Sequence, residues 1–286
     1  MKKFRTLLFS SVPLLFALTL QIAAMFYLLL IAVIFLTAIS ALHIDHRHPF
    51  MELFDIAVSM EFTQVVYIVF SVWCIICFGI WFRKRCGGKW KVDIRKTFHP
   101  YEILGILFLI PGTQYLSAII TSMISIVFPS WLETYEELIE TAGITDDISL
   151  LMFIYSVILA PISEELIFRG VTLRIAQRAF PFWIANIIQA FFFGAFHMNM
   201  LQGCYTFILG LFLGYICHKG GSIYHVILFH FLFNLWGTTL ANFLIVENAF
   251  LQGIIILAGT SFGLLLGLYF FQKGNESKKA AAYHLN

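Results

Sequence analysis

Apolar residues run along this chain in long blocks with neither the alternation of a half-buried strand nor the narrow stripe of a water-facing helix, and short polar stretches separate the blocks. Each block is about as long as the roughly 20 residues that a helix needs to cross a bilayer. The blocks predict eight spanning helices, at approximately 14–42, 63–82, 102–128, 149–168, 182–199, 201–217, 223–246 and 250–271. Polar or turn-forming segments lie at 43–62, 83–100, 129–148, 219–222 and 247–248, and the boundary near Asn199 is the least marked. Within the third span Pro111-Gly112 predicts a kink, since proline lacks the N–H and crowds the preceding turn. In the sixth, Gly203, Gly210 and Gly214 share one face and predict close helix packing. Three regions follow: an N-terminal three-helix membrane region (1–148), a membrane core (149–246), and a last span with its tail (247–286).

Charge orients the bundle. With the N-terminus in the cytosol, every one of the 18 lysines and arginines except Arg47 falls in or beside a cytoplasmic segment. The external segment 129–148 instead carries Glu133, Glu136, Glu137, Glu140, Asp146 and Asp147 and no basic residue. Lys2, Lys3 and Arg5 precede an apolar run too long for the core of a cleavable signal, so the first span is expected to be retained. Splitting that run into a hairpin would invert the rest and expose the basic segment 83–100 outside.

Composition adds that a chain 60% hydrophobic and 12% charged cannot bury its apolar surface as a water-soluble domain. The fold class expected is all-α: a polytopic membrane protein of about eight transmembrane helices in one bundle, both termini cytoplasmic, multi-pass in the plasma membrane, with lipid as its surroundings. A net charge of +2 is too small to suggest nucleic acid as a partner. The five cysteines lie in or beside apolar runs; Cys74-Ile-Ile-Cys77 has redox spacing but reads as core packing, and neither disulfides nor a metal site is inferred.

Against this background the stretch Pro161-Ile-Ser-Glu-Glu-Leu-Ile-Phe-Arg-Gly170 stands out. An ionised side chain in a spanning helix costs about 2.5–3.5 kcal/mol on insertion scales, so such residues face a protein interior or a wet cavity and have a partner. Glu165 and Arg169 are i,i+4 and can pair on one face, while Glu164 points about 100° away. One carboxylate can thus be neutralised structurally and the other remain available for chemistry. The competing reading is that all three are juxtamembrane charges at a cytoplasmic helix end.

Histidines supply the second pattern. His43, His46 and His48 with Asp45 cluster in the first external segment, where a solvated loop explains them better than a metal. His99, His218 and His284 are juxtamembrane or terminal and receive no role. His197 and His230, by contrast, interrupt strongly apolar helices, and Asn234 lies one turn after His230 on the same face. Facing lipid, these groups would be unsatisfied, so they are expected to point inward. Each alone could be an interhelical hydrogen bond; Glu164, His197, His230 and Asn234 together, on three helices, suggest a shared site. By depth, His230 lies roughly 12 Å from the cytoplasmic end of its span at 1.5 Å per residue, whereas His197 falls nearer the outer end of the fifth span.

Glu164-Glu165-x-x-Phe168-Arg169, Phe193-x-x-x-His197 and His230-x-x-x-Asn234, in this order, resemble the three motifs of the CAAX-protease and bacteriocin-processing family of intramembrane endopeptidases. That family includes the CAAX prenyl proteases of the Ras-converting type and abortive-infection-like bacterial membrane proteins. The resemblance spans about Ser149 to Gly237; the first three spans match nothing. It implies that Glu164 and His197 activate a water for peptide-bond attack, that His230 and Asn234 hold the oxyanion, and that Glu165, Arg169, Phe168 and Phe193 support the site. It implies as substrate a membrane-associated or lipid-anchored peptide or protein. No cofactor is favoured; the alternative is zinc on Glu164, His197 and His230, but Asn234 is a poor zinc ligand and suits an oxyanion better. Two rivals remain: a non-catalytic bacteriocin self-immunity or membrane regulatory protein, and a transporter, for which repeat symmetry and paired broken helices would be expected.

Overall fold

The computed structural model describes residues 2–41, 49–89, 91–141, 143, 148–240 and 246–283. Among the described residues every regular element is a helix: α1 (Lys2–Ala41), α2 (Pro49–Ala57), α3 (Met60–Arg85), α4 (Ile94–Thr97), α5 (Pro100–Val127), α6 (Pro129–Thr141), α7 (Leu150–Ala176), α8 (Phe182–Phe196), α9 (Met200–Gly220), α10 (Ile223–Thr239) and α11 (Ala249–Tyr283). The chain is an all-α, multi-pass membrane protein, and a helix lies at each of the eight positions where a span was expected: α1, α3, α5 and α7 to α11. Six of them are long and apolar enough to cross a membrane; α8, with 15 residues, and α10, with 17, are shorter.

The boundaries differ where backbone bonding continues past the apolar run. With 40 and 35 residues, α1 and α11 extend about 60 and 52 Å, beyond the roughly 30 Å hydrocarbon layer. The segment 129–148, expected as a polar loop, begins with the helix α6. Proline suits a first helical position, and Tyr135 meets Tyr205 of α9 edge-on at 6.4 Å between ring centroids. The predicted kink at Pro111 does not end α5, which is helical from Pro100 to Val127. His43, Asp45, His46, Arg47, His48, Asp146, Asp147, His284 and positions 241–245 of the seventh expected span lie outside the described residues.

Polar caps start the helices. The Ser59, Ser149 and Asn199 side chains accept from the N–H groups of Phe62, Met152 and Gln202, and Gly221, at φ 73°, closes α9 in the left-handed conformation that glycine adopts without penalty. The basic helix ends share one side of the molecule. Arg174 and Arg178, at and just past the end of α7, donate to Cys86 O and Arg85 O beyond α3, and Lys278 of α11 donates to Thr97 O.

Lipid tails are as apolar as leucine, so close approach rather than water expulsion holds such helices together. Helices α5 and α11 pair antiparallel through facing glycines: Gly112 abuts the Gly263–Leu264 backbone, Gly105 abuts Gly267 and Phe271, and Gly274 abuts Glu102. A Cβ on Gly263 would lie 2.6 Å from Gly112 Cα. Gly263→Ala therefore forces the helices apart, and a cost of about 1–3 kcal/mol is expected from overpacking. It should appear as a lower thermal midpoint of the detergent-solubilised protein; an unaltered midpoint would contradict this packing. Glycines join α8 to α9 as well: a Cβ on Gly210 would lie 3.1 Å from Ala190, and one on Gly194 2.6 Å from Gly203 O.

Candidate active site

The helix α7 that carries the paired carboxylates is not a uniform α-helix. Ile154–Leu159 and Leu166–Thr172 are π-helical turns on either side of the α-helical Ala160–Glu165. Pro161 offers no N–H to the preceding turn, and Thr172 Oγ1 donates to Ile167 O, five residues back, at 2.9 Å. Wide turns of this kind concentrate at functional sites. Because α7 continues to Ala176, Arg169 is not at a helix end: Glu165 and Arg169 are fully buried and Glu164 is 8% exposed. The juxtamembrane reading of these charges does not hold.

The two glutamates have different surroundings. Arg169 Nη1 pairs with Glu165 Oε1 at 2.8 Å, its Nη2 donates to Gly210 O at 3.3 Å, and its guanidinium stacks 4.3 Å from the Phe193 ring centre. From the other side His230 Nδ1 lies 2.7 Å from the same Glu165 oxygen. Glu165 is therefore anchored to both α9, through Arg169, and α10. Glu164 has no hydrogen bond among the described residues; its Oε2 lies 3.8 Å from His230 Nε2, and its side chain keeps about 10% of its surface open.

Aromatic rings connect the three motifs. Phe168 meets Phe193 edge-on at 5.2 Å, and Phe193 in turn meets His197 at 5.1 Å and His230 at 6.0 Å. His197 caps α8, and its Nδ1 lies 2.9 Å from Phe193 O. A carbonyl only accepts, so Nδ1 is the donor and Nε2 of the neutral ring holds the lone pair. The depth mismatch expected for His197 is resolved by the ring contact. A 15-residue helix spans only about 22 Å, and near its C-terminal end Phe193 touches both His197 and His230. His197 makes no direct hydrogen bond to Glu164.

Asn234 Nδ2 donates to Ser156 O, in the first π-helical turn of α7, at 2.7 Å. That bond ties α10 to α7 and leaves the amide a second N–H. Glu164, His230 and Asn234 are thus gathered between α7 and α10, and His197 reaches them through Phe193.

A second buried polar cluster was missed in the sequence. Glu102 accepts from His99 N at 2.9 Å, lies 3.2 Å from His225 Nε2 and pairs with Lys278 Nζ at 2.7 Å, tying the start of α5 to the start of α10 and the C-terminal part of α11. His225 lies five residues before His230 on the same helix, so the cluster fixes the end of the element that carries His230 and Asn234. A carboxylate three residues after a capping residue at a span's start was the available sign.

Zinc would require Glu164, His197 and His230 to converge. Among the described residues no three His, Cys, Asp or Glu side chains do so.

No curated protein matches this chain, and no solved structure does. Residues 146–236 match the family model described as Rce1-like, "Type II CAAX prenyl endopeptidase Rce1-like". The matched segment runs from just before α7 into α10 and contains Glu164, Glu165, Phe168, Arg169, Phe193, His197, His230 and Asn234. Over that segment, about a third of the chain, the protein is similar to the Rce1-like CAAX prenyl endopeptidases.

Proposed function

We propose that this protein is an intramembrane endopeptidase of the plasma membrane. It hydrolyses a peptide bond in a membrane-associated or lipid-anchored peptide or protein with a water activated by Glu164 and His197. The observation that carries this reading is the inequality of the paired carboxylates. Glu165 is held by Arg169 and His230, while the more accessible Glu164 faces His230 across a gap that a water can bridge.

In the proposed reaction Glu164, assisted by the Nε2 lone pair of His197, removes a proton from the water as its oxygen attacks the carbonyl carbon. The carbonyl electrons move onto oxygen, where Asn234 Nδ2–H and His230 Nε2–H donate; such donors are worth about 2.7–4 kcal/mol each when removed. With Nδ1 facing Glu165, His230 turns Nε2 toward the oxyanion and donates from it when the ring carries both protons. Collapse breaks the C–N bond, and the proton held by Glu164 passes to the leaving amine. Near this site, a largely apolar cavity of about 520 Å³ is lined by Ile158 and Ile162 of α7 and Ile227, Leu228 and Phe231 of α10. It suits the hydrocarbon of a lipid-anchored substrate.

Asn234→Ala tests the oxyanion assignment. We expect kcat on a cleavable membrane peptide to fall about 10²–10³-fold with a smaller change in KM. An equal loss confined to KM would assign Asn234 to substrate binding.

A further inference from the structure

The cytoplasmic ends of α3, α7 and α9 enclose a cavity of about 420 Å³ whose lining includes Arg85, Arg169, Arg174, Arg178, His218 and Ser222 and no acidic residue. Two of these cations are held in place by backbone carbonyls: Arg174 Nη1 donates to Cys86 O at 2.6 Å and Arg178 Nη2 to Arg85 O at 2.9 Å. Each guanidinium retains further N–H groups, already oriented, which lowers the entropy lost on binding. Arg169 lines the cavity too, and although it is fully buried its Nε has no hydrogen-bond partner among the described residues. Like charges and an unpartnered donor around a space this size call for an anion, and guanidinium groups match the oxygens of a phosphate bidentately.

A second cavity, of about 760 Å³, adjoins the first and shares Arg85 and Arg178 with it. Its walls are Phe9, Trp81 and Ile175, with Lys2 and Arg5 at the cytosolic start of α1. Phosphate-binding cations thus lead into an apolar slot at the inner membrane face. Basic pockets between helices on that side are the usual seats of anionic lipid head groups.

We propose that these joined cavities bind an anionic phospholipid of the cytoplasmic leaflet. Its phosphate is held by Arg85, Arg174 and Arg178, and an acyl chain lies along Phe9, Trp81 and Ile175. This assignment is independent of the peptidase chemistry.

The test titrates the full-length, detergent-solubilised protein with phosphatidylglycerol or phosphatidylcholine and counts bound lipid by native mass spectrometry. Phosphatidylglycerol should bind the wild type preferentially. Arg85→Gln with Arg178→Gln should weaken it about thirtyfold, taking each basic side chain as a factor of roughly five, while phosphatidylcholine binding stays the same. Arg85→Lys with Arg178→Lys, which keeps the charge, should retain most of the preference. Should the glutamine pair fail to fold, Lys2→Gln with Arg5→Gln, both at exposed positions, should still reduce the preference. Equal affinity for both lipids, or phosphatidylglycerol binding undiminished in a folded glutamine variant, would overturn the proposal. Saturable binding of inorganic phosphate at these arginines without any lipid preference would also overturn it and assign the cavity a soluble anion.

Discussion

Glu164→Gln is expected to lower peptide hydrolysis by about a thousandfold, within the range that a positioned general base contributes. The substitution keeps shape and volume and removes only the carboxylate's ability to take a proton. Glu164 makes no hydrogen bond among the described residues, and its Oε2 lies 3.8 Å from His230 Nε2. Thermal stability should therefore hardly change, so the loss can be assigned to chemistry. Steady-state kinetics on a membrane-peptide substrate, with the melting midpoint of the same preparation, separates the two. A variant that retains a tenth or more of wild-type kcat would remove Glu164 from the reaction. Glu165→Gln should behave differently, losing stability as well as rate, because Arg169 and His230 both rely on that carboxylate.

Arg169→Met is expected to cost about 3–5 kcal/mol of stability, the usual consequence of removing one member of a buried ion pair. Both Arg169 and Glu165 are fully buried, so solvent does not screen the charge left behind. The side chain also joins Gly210 O and the Phe193 ring, which links α7 to α9 and α8. A steep fall in folded yield and thermal midpoint should result. The double variant Glu165→Gln with Arg169→Met should recover part of that loss, since no unpaired charge then remains. If the single and double variants melt alike, charge burial is not the dominant cost.

Much of this was legible in the sequence because the bilayer imposes simple rules. Apolar run lengths marked a helix at each of the eight expected positions, and the i,i+4 spacing of Glu165 and Arg169 foretold their pairing, since even the wide turn Leu166–Thr172 keeps both on one face. What escaped depends on contacts between distant segments. Nothing local marks Gly263 as the partner of Gly112, or Lys278 as the partner of Glu102, because such pairs are fixed only when α11 docks against α5. The reach of α1 and α11 beyond the membrane was hidden because hydropathy ends at the lipid boundary while backbone hydrogen bonding does not. His230 was recognisable as an inward-facing polar residue, but its bond to Glu165 was not. That bond determines which of its nitrogens faces Glu164, and it exists only because α10 packs beside α7.

The most direct measurement compares a native host carrying the wild type with one carrying Glu164→Gln at equal expression, following membrane-peptide processing by mass spectrometry. A peptidase predicts a processed peptide that is present with the wild type and absent with the variant, which would also identify the substrate. A phenotype and peptide profile unchanged by Glu164→Gln would contradict catalysis and leave the buried cluster as part of a non-catalytic immunity or regulatory protein.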